Sequence, residues 1–259
     1  MLTNYHTHCN MCGHAGGTIE EYVVEAIKKG FVELGMSDHL PYEGDIYGSR
    51  MSYEDKDRYL DEISRVKSKY ENKIKVYSGF EAEYLPSFHK YYEQLLNDSR
   101  CDYLLLGVHF YENKNGVVEY VHNIKDTAKY VDYAMAAVEA MKTGYFKYIC
   151  HPDYIGVGNV DIGDDHRKAF DLLIEGSIKY NVPLEYNANG LRRGITPLGT
   201  TVRYQYPVDK LWTMARNSET KVIVGCDAHS PELLYDEYMQ EALQFVAKGK
   251  YNVIDKLMD

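Results

Sequence analysis

Three histidines and two cysteines fall within nine residues near the start of the chain. They are His6, His8, His14, Cys9 and Cys12, in the stretch LTNYHTHCNMCGHAGG. Imidazole and thiolate groups both bind metals, and a Cys-x-x-Cys pair is also typical of redox sites. A metal site, a redox pair and chance clustering are therefore all open from this stretch alone.

Further imidazole and carboxylate groups follow short apolar runs along the rest of the chain. They lie in SDHLP, GFEAEY, GVHFY, CHPD and GCDAHS, and are His39, Glu81, His109, His151, Asp227 and His229. A single histidine in such a place is more often a hydrogen-bonded polar group than a ligand. Seven of the ten histidines together with two carboxylates form a set that suits zinc, manganese or iron. Because zinc takes only about four ligands, the set predicts two or three divalent metal ions.

The Cys-x-x-Cys pair fits neither of its usual roles well. A thioredoxin-type pair lies at a helix N-terminus, where the thiolate is stabilised, but the helical pattern here begins only near Thr18. A second Cys-x-x-Cys pair, which a zinc knuckle needs, is missing from the sequence. We therefore interpret Cys9 and Cys12 as incidental neighbours of the histidines.

These residues are spread over a chain in which short apolar runs alternate with amphipathic patterns. The predicted strands are residues 2–5, 32–36, 74–79, 103–108, 148–150, 183–186 and 221–226. The predicted helices lie at residues 18–30, 52–73, 87–98, 126–144, 164–181, 207–218 and 231–249. The strands do not alternate cleanly, as expected for parallel strands buried on both faces. Seven strand–helix units without a linker predict an α/β fold over residues 1–259, a distorted (β/α)7 barrel, with an open doubly wound sheet as the alternative.

Either architecture brings the candidate ligands together. The carboxyl ends of parallel strands meet on one face, where active sites of such folds are built. His6 and His8 follow the first predicted strand, His14 lies in the loop after it and is expected to reach the same face, and the other candidates follow later strands. Residues 44–62, inserted after SDHLP, are expected to cover a small ligand bound at this face.

Composition narrows the possible partners. The net charge of −10 disfavours binding to nucleic acid, which needs lysines and arginines against phosphates, but it allows a small phosphorylated substrate. Five scattered cysteines without a signal peptide predict a reducing cytoplasm. Apolar runs stay well below the roughly 20 residues of a membrane span. The oligomeric state is left open.

Taken in order, the motifs HTH, SDH, GFEAE, GVH, CHPD and CDAHS resemble the PHP (polymerase and histidinol phosphatase) superfamily. Within it, nearly the whole chain is similar to the monofunctional histidinol-phosphate phosphatases. The resemblance implies a distorted (β/α)7 barrel that holds up to three metal ions. It implies hydrolysis of L-histidinol phosphate to L-histidinol and phosphate, a step of histidine biosynthesis.

The resemblance also implies how the ligands are divided. The first ion is expected on His6, His8, Glu81 and Asp227. The second ion is expected on Glu81, His109 and His151, with Glu81 bridging the two. The third ion is expected on His14, His39 and His229.

Phosphate ester hydrolysis by such a site needs a nucleophile and fixed positive groups. A metal-bridging hydroxide is the expected nucleophile. Asp38, Glu81 and His229 are the candidate catalytic residues, and Asp38 is the candidate proton donor to the leaving alkoxide. Arginine binds phosphate through paired hydrogen bonds. The candidate phosphate-binding arginines follow the sixth strand and are, in order of preference, Arg192, Arg203 and Arg193. Glu83 is a further candidate substrate contact.

Three alternatives remain open from the sequence. The same site in a PHP-type phosphoesterase would act on nucleotides or DNA ends, against which the acidic charge argues. A non-catalytic metal-binding module would be expected to lack several ligands. An amidohydrolase would carry a strand-end lysine in place of Glu81, which the sequence does not have.

Overall fold

The computed structural model describes residues 2–216 and 218–258, and one curved, mostly parallel sheet organises them. The strands are β1 (Leu2–Asn4), β2 (Phe31–Met36), β3 (Lys75–Tyr84), β4 (Tyr103–Glu112), β5 (Val118–Tyr120), β6 (Phe146–Ile149), β7 (Leu184–Asn187), β8 (Ile195–Leu198), β9 (Thr201–Tyr204), β10 (Lys221–Gly225) and β11 (Asn252–Val253). The main sheet has the order β1-β2-β3-β4-β6-β7-β10-β11 with all neighbours parallel, while β5 pairs antiparallel with β4. Strands β8 and β9 form a separate antiparallel hairpin.

Within the described residues, eight α-helices connect the strands. They are α1 (Ile19–Lys29), α2 (Lys56–Tyr70), α3 (His89–Asn97), α4 (Lys129–Thr143), α5 (Asp164–Tyr180), α6 (Ala188–Arg192), α7 (Asp209–Arg216) and α8 (Glu237–Gly249). Helix α1 begins with a capping box, in which the Glu21 amide donates to the Thr18 hydroxyl and the Thr18 amide donates to the Glu21 carboxylate. It ends at Gly30, which has a left-handed backbone.

The predicted α/β barrel is confirmed in its architecture. All seven predicted strands are present, as β1, β2, β3, β4, β6, β7 and β10. Strands β3 and β4 run further than predicted, since their pairing continues to Tyr84 and Tyr111. As a result Glu81 and His109 lie within strands and not after them. The short helix α6 and the strands β5, β8, β9 and β11 were not predicted.

The two faces of the sheet bury separate sets of side chains. Along β4, Leu104 and Leu106 pack in the large cluster that also contains the helix residues, whereas Leu105 belongs to a small cluster with Tyr5 and Tyr148. The small cluster therefore fills the concave face of the curved sheet. Glu81 pairs with Leu105 in the sheet, and side chains of paired residues point to the same face. The Glu81 carboxylate is thus directed into the barrel.

The seam and the base of the barrel are closed by local contacts. An isolated parallel bridge joins Thr7 to Ala228, next to β1 and β10. At the amino ends of the strands, the Lys256 ammonium lies 2.8 Å from the buried Glu33 carboxylate, and the Leu257 amide donates to the Tyr5 hydroxyl. The opposite, carboxyl ends of the strands remain open to a cavity. Among the described residues, no helix combines the length and apolar character needed to cross a membrane.

Candidate metal centre

The nine predicted ligands converge at the carboxyl ends of the strands. Five of them are buried, namely His6, His8, Glu81, His151 and Asp227. The rings of the other four, which are His14, His39, His109 and His229, border a cavity of about 530 Å³. The nine ligands come from segments that are distant in the sequence. The parallel sheet brings these segments together.

Glu81 lies at the centre of the group and is only 2 % exposed. Its Oε2 atom is 3.4 Å from His6 Nε2, 3.6 Å from His8 Nε2 and 2.9 Å from His39 Nδ1. Its Oε1 atom is 2.9 Å from His151 Nε2 and 3.8 Å from His109 Nε2. One carboxylate therefore faces imidazole nitrogens from five histidines, with its two oxygens directed to different rings. This is the arrangement required of a carboxylate that bridges two ions.

Asp227 lies on the other side of the His6 and His8 rings. Its Oδ1 atom is 3.1 Å from His8 Nε2 and 3.6 Å from His6 Nε2. The two histidine Nε2 atoms are themselves 3.2 Å apart. Two imidazole nitrogens and two carboxylate oxygens thus surround one small space, which matches a four-coordinate zinc site in donor type and number.

His14, His39 and His229 form an outer group beside the first. His229 Nε2 is 3.2 Å from His14 Nε2, and the His14 and His39 rings are stacked with centroids 5.3 Å apart. One nitrogen each of His8, His39 and His229 also lies within 4.8 Å of the others. The predicted third ligand group is therefore brought together, although His39 lies equally close to Glu81.

Three further carboxylates fix the rings from behind. His6 Nδ1 lies 2.8 Å from Glu185, His8 Nδ1 lies 3.2 Å from Asp38, and His109 Nδ1 lies 3.0 Å from Glu83. In each ring Nδ1 donates to a carboxylate, so that Nε2 is the nitrogen directed at the centre. Metal-binding histidines have this second partner almost without exception.

The charges of the candidate ligands favour a bound cation. Burial disfavours the charged form of His8, but hydrogen bonds and charges of Asp227 and Asp38 outweigh it and raise the pKa of His8 to about 9. Burial likewise acts against ionisation of Glu81, but the charges of His6 and His39 hold its pKa well below the usual range. The carboxylates are thus ionised and paired with positive charge. The donor set therefore fits divalent metal ions.

Two of the candidate ligands have a left-handed backbone. His151 and Asp227 have φ angles of +31° and +47°, which non-glycine residues rarely adopt. Glycine lies opposite two of the carboxylates, because a Cβ atom at Gly107 would clash with Glu81 and one at Gly225 would clash with Glu185. The backbone is therefore shaped around the carboxylates that face the histidines.

The structure corrects the predicted roles of Asp38 and Glu83. Asp38 is fully buried and accepts hydrogen bonds from the amides of Cys9 and His39 in addition to His8. It lies behind His8 and does not line the cavity, so it is badly placed to donate a proton to a leaving group. Glu83 is also buried, and it accepts from the amides of His109 and Phe110 and from Arg50. Both carboxylates contact histidine rings, and neither lines the cavity.

The preferred order of the arginines is also corrected. Arg192 pairs with Asp236 and donates to the carbonyl oxygens of Cys226 and Leu233, and it does not line the cavity. Arg203 donates to the carbonyl oxygens of Gly156 and Val160. Both guanidinium groups are used to join loops. Arg193, the last of the three choices, is exposed and lines the cavity.

Several residues at the cavity were missed from the sequence. Arg50 lines it from the inserted loop of residues 44–62, whose last seven residues belong to helix α2, and the aromatic residues Phe110, Tyr120, Tyr154 and Tyr206 also line it. The signal for Glu185 was available, since a charged residue within the apolar strand β7 indicates a buried polar partner. No such signal was available for Arg50, because its partner Glu83 is 33 residues away.

The two cysteines of the opening stretch are buried neighbours of this site. The Cys9 thiol donates to Asp38 Oδ2, and the Cys12 thiol donates to the Cys9 carbonyl oxygen. Burial and the Asp38 charge raise the pKa of Cys12 to about 12 and raise that of Cys9 as well. Both thiols are therefore protonated and poor nucleophiles.

Replacement of Asp38 tests its positioning role. In Asp38→Ala the His8 ring loses the partner that fixes its orientation, so the zinc dissociation constant is expected to rise by about 10- to 100-fold. Chelator competition on the purified protein measures this constant. Asp164→Ala removes an exposed carboxylate on α5 that pairs with Arg167 at the surface and is the matched control. Unchanged zinc affinity in Asp38→Ala would remove Asp38 from the support of the site.

Arg192→Met tests the corrected role of that arginine. The substitution leaves Asp236 partly buried without its ion pair, so the free energy of unfolding is expected to fall by about 3 kcal/mol. Urea denaturation gives this value. Arg167→Met breaks an exposed pair and is expected to change it by less than about 0.5 kcal/mol. A fully stable Arg192→Met protein would show that the pair with Asp236 is not structural.

Comparison with known proteins agrees with this geometry. A probable histidinol-phosphatase of Deinococcus radiodurans is 28% identical over 241 residues, covering 89% of this chain and 87% of that protein. The histidinol-phosphatase of Bacillus subtilis is 25% identical over 248 residues, covering 86% and 92%. The crystal structure of the Lactococcus lactis histidinol phosphate phosphatase, complexed with zinc, L-histidinol and phosphate, superimposes with a TM-score of 0.71 at 15% identity and covers 98% of this chain and 95% of that one. The PHP domain model matches residues 4–189, and the chain belongs to the PHP domain family.

Proposed function

We propose that the protein is a metal-dependent phosphatase that hydrolyses L-histidinol phosphate to L-histidinol and phosphate. The observation that carries the proposal is the convergence of seven histidines and two carboxylates, of which all but His6 and His8 line one cavity together with Arg193. Relatives that cover most of the chain are named histidinol-phosphatases, which supports the choice of substrate. The zinc, L-histidinol and phosphate in the Lactococcus lactis structure support it as well.

The site is proposed to hold two or three divalent ions, zinc being the first choice over manganese and iron. The first ion is assigned to His6, His8, Glu81 and Asp227, the second to Glu81, His109 and His151, and the third to His14, His39 and His229. When bound, such ions lower the pKa of a coordinated water and offset the negative charge of the phosphoryl oxygens. Glu81 and His229 remain the candidate catalytic residues, since both carry ligand atoms and line the cavity.

The protein itself contributes position and charge. The carboxylates of Asp38, Glu83 and Glu185 hold three histidine rings with their Nε2 atoms directed inward. Asn189 donates to Asp227 Oδ2 at 3.1 Å, which fixes that carboxylate beside the cavity. Fixed groups need little reorganisation as charge develops on the phosphoryl group, which is the main source of catalysis at such sites.

Arg193 is assigned to the substrate phosphate. Its guanidinium lies over the Tyr206 ring at 5.5 Å and is the exposed member of the three arginines considered from the sequence. Its side chain is therefore supported by the ring while its donors remain open to the cavity. Paired hydrogen bonds from arginine suit phosphate oxygens.

Phosphate release is the test of this function. Purified protein is assayed with L-histidinol phosphate beside a nucleoside monophosphate and a short single-stranded DNA, and its metal content is determined. We expect strong preference for L-histidinol phosphate, loss of turnover after chelation, and recovery with zinc or manganese. Turnover of the nucleotide or the DNA in preference would contradict the proposed substrate. Full turnover in the metal-stripped protein would contradict the metal-dependent reaction.

Arg193→Met tests the phosphate assignment. Because a hydrogen bond to a charged group contributes about 1.5–3 kcal/mol, kcat/KM for L-histidinol phosphate is expected to fall by roughly 10- to 150-fold. Arg193→Lys keeps the charge but not the paired geometry and should lose less. Arg58→Met, at an exposed surface pair on α2, is the control and should match the wild-type protein. Wild-type kcat/KM in Arg193→Met would exclude this residue from the phosphate site.

A further inference from the structure

Strand β7 places two polar side chains inside the barrel. Glu185 pairs with Ile223, which belongs to the small cluster on the concave face of the sheet. Asn187 is two positions further along the strand, so its side chain points to the same face. Both side chains are buried, and neither lines the cavity. A carboxylate in such surroundings needs several hydrogen-bond donors to remain charged.

The Glu185 carboxylate receives donors from ligands of two ions. Its Oε1 atom lies 2.8 Å from Nδ1 of His6, which is assigned to the first ion. Its Oε2 atom accepts from the backbone amide of His151, which is assigned to the second ion, at 2.9 Å. We call the ligands of these two ions the first group and the second group. The two oxygens of one side chain thus contact both groups.

The contact with His151 acts through the main chain. His151 follows β6 and has a φ angle of +31°, which non-glycine residues rarely adopt. The hydrogen bond from its amide to Glu185 holds this peptide in the turn, while its Nε2 atom lies 2.9 Å from Glu81 Oε1. Glu185 therefore positions His151 through the backbone, whereas it positions His6 through the ring.

Asn187 extends the contact to a third ligand. Its Nδ2 atom lies 2.8 Å from Glu185 Oε2 and 3.2 Å from Asp227 Oδ2. A side-chain amide nitrogen carries two protons, so it can donate to both carboxylates. Its Oδ1 atom accepts from the amides of Asn189 and Gly190, which fixes the orientation of the side chain. Asp227, a ligand of the first group, is thereby joined to Glu185.

The other two carboxylates behind histidines have a different reach. Glu83 contacts the ring and the amide of His109, which belongs to the second group. Asp38 contacts the His8 ring of the first group and the amide of His39, which is assigned to the third ion. Of these three carboxylates, the one on β7 is therefore the one that joins the first group to the second.

We infer that Glu185 is a positioning residue that couples the first and second groups, so that binding of an ion at one group favours binding at the other. This coupling rests on the metal centre of the proposed function and deepens it. Binding at the first group fixes His6 and Asp227, and through them the Glu185 carboxylate. The His151 amide then meets an acceptor that is already ordered, so binding at the second group loses less conformational entropy. Coupling between two sites is reciprocal, so the effect also runs from the second group to the first.

Zinc titrations of the metal-stripped protein test the coupling. NMR signals of isotope-labelled histidine rings assign each binding step to a group, and chelator competition gives the two dissociation constants. In the wild-type protein we expect the ring signals of both groups to change together. In Glu185→Gln one oxygen is replaced by an NH2 group, which does not accept hydrogen bonds. We expect the two steps to separate and both dissociation constants to rise by about 10- to 100-fold. A rise in one constant alone, or in neither, would overturn the coupling role.

Glu83→Gln is the matched control, because it alters a buried carboxylate that contacts one group. It is expected to raise the dissociation constant of the second group and to leave that of the first unchanged. Equal rises in both constants in Glu83→Gln would show a general effect of buried carboxylates and would overturn the special role of Glu185. Asn187→Ala keeps Glu185 and removes the link to Asp227, which provides a test if Glu185→Gln does not fold. It is expected to raise the constant of the first group and to weaken the coupling, and unchanged constants and coupling would contradict the link.

Cobalt in place of zinc gives a readout that a loss of stability does not change. At saturating cobalt, the absorption bands depend on the ligands of the bound ions and on the partners of those ligands. Glu185→Gln is expected to shift the bands of the ions at both groups, and Glu83→Gln those of one ion. Identical spectra for the wild-type protein and Glu185→Gln would show that this carboxylate supports the fold and not the ligands.

Failure of the proposed function has a different signature. The metal titrations involve no phosphate ester, so coupled zinc binding without hydrolysis of L-histidinol phosphate would contradict the substrate and support the coupling. Hydrolysis of L-histidinol phosphate by a protein whose two zinc ions bind independently would support the function and overturn the coupling. At most one zinc ion per wild-type chain would overturn the metal centre and the coupling together.

Discussion

A single buried carboxylate, that of Glu81, faces five histidines. At 2 % exposure it has almost no water, so its charge is balanced by rings from separate segments of the chain. Removing one partner from such a group is costly, because an unpaired buried charge loses its hydration without replacement. The curved parallel sheet satisfies this requirement, since the carboxyl ends of its strands meet around Glu81. The glycine at position 107 in the neighbouring strand β4 leaves room for the carboxylate.

Three further buried carboxylates hold the histidines around Glu81 in fixed orientations. Glu185, Asp38 and Glu83 each take the second nitrogen of a histidine, and each of the three is itself buried. Such a concentration of buried polar groups contributes little net stability. Stability comes instead from the large apolar cluster between the convex face and the helices. The strained backbone at His151 and Asp227 is tolerated within that frame.

The sequence predicted the parts of this arrangement that depend on local pattern. Strand positions followed from short apolar runs, and the ligands followed because parallel strands bring their ends together. The roles of the arginines were not predictable in this way. Arg192 and Arg193 are neighbours, yet one pairs with Asp236 and the other lines the cavity. Which of two adjacent side chains faces inward is decided by contacts with residues some 40 positions away. The position of Asp38 was not predictable for the same reason, because its burial behind His8 depends on tertiary contacts.

The most direct test is a zinc titration of metal-stripped protein, followed by native mass spectrometry, for the wild-type protein and Glu81→Gln. We expect two or three zinc ions per wild-type chain. We expect the loss of more than one ion in Glu81→Gln, because the Glu81 carboxylate is shared between ligand groups. Matching zinc numbers in the two proteins, or at most one zinc in the wild-type chain, would contradict a shared metal centre at Glu81.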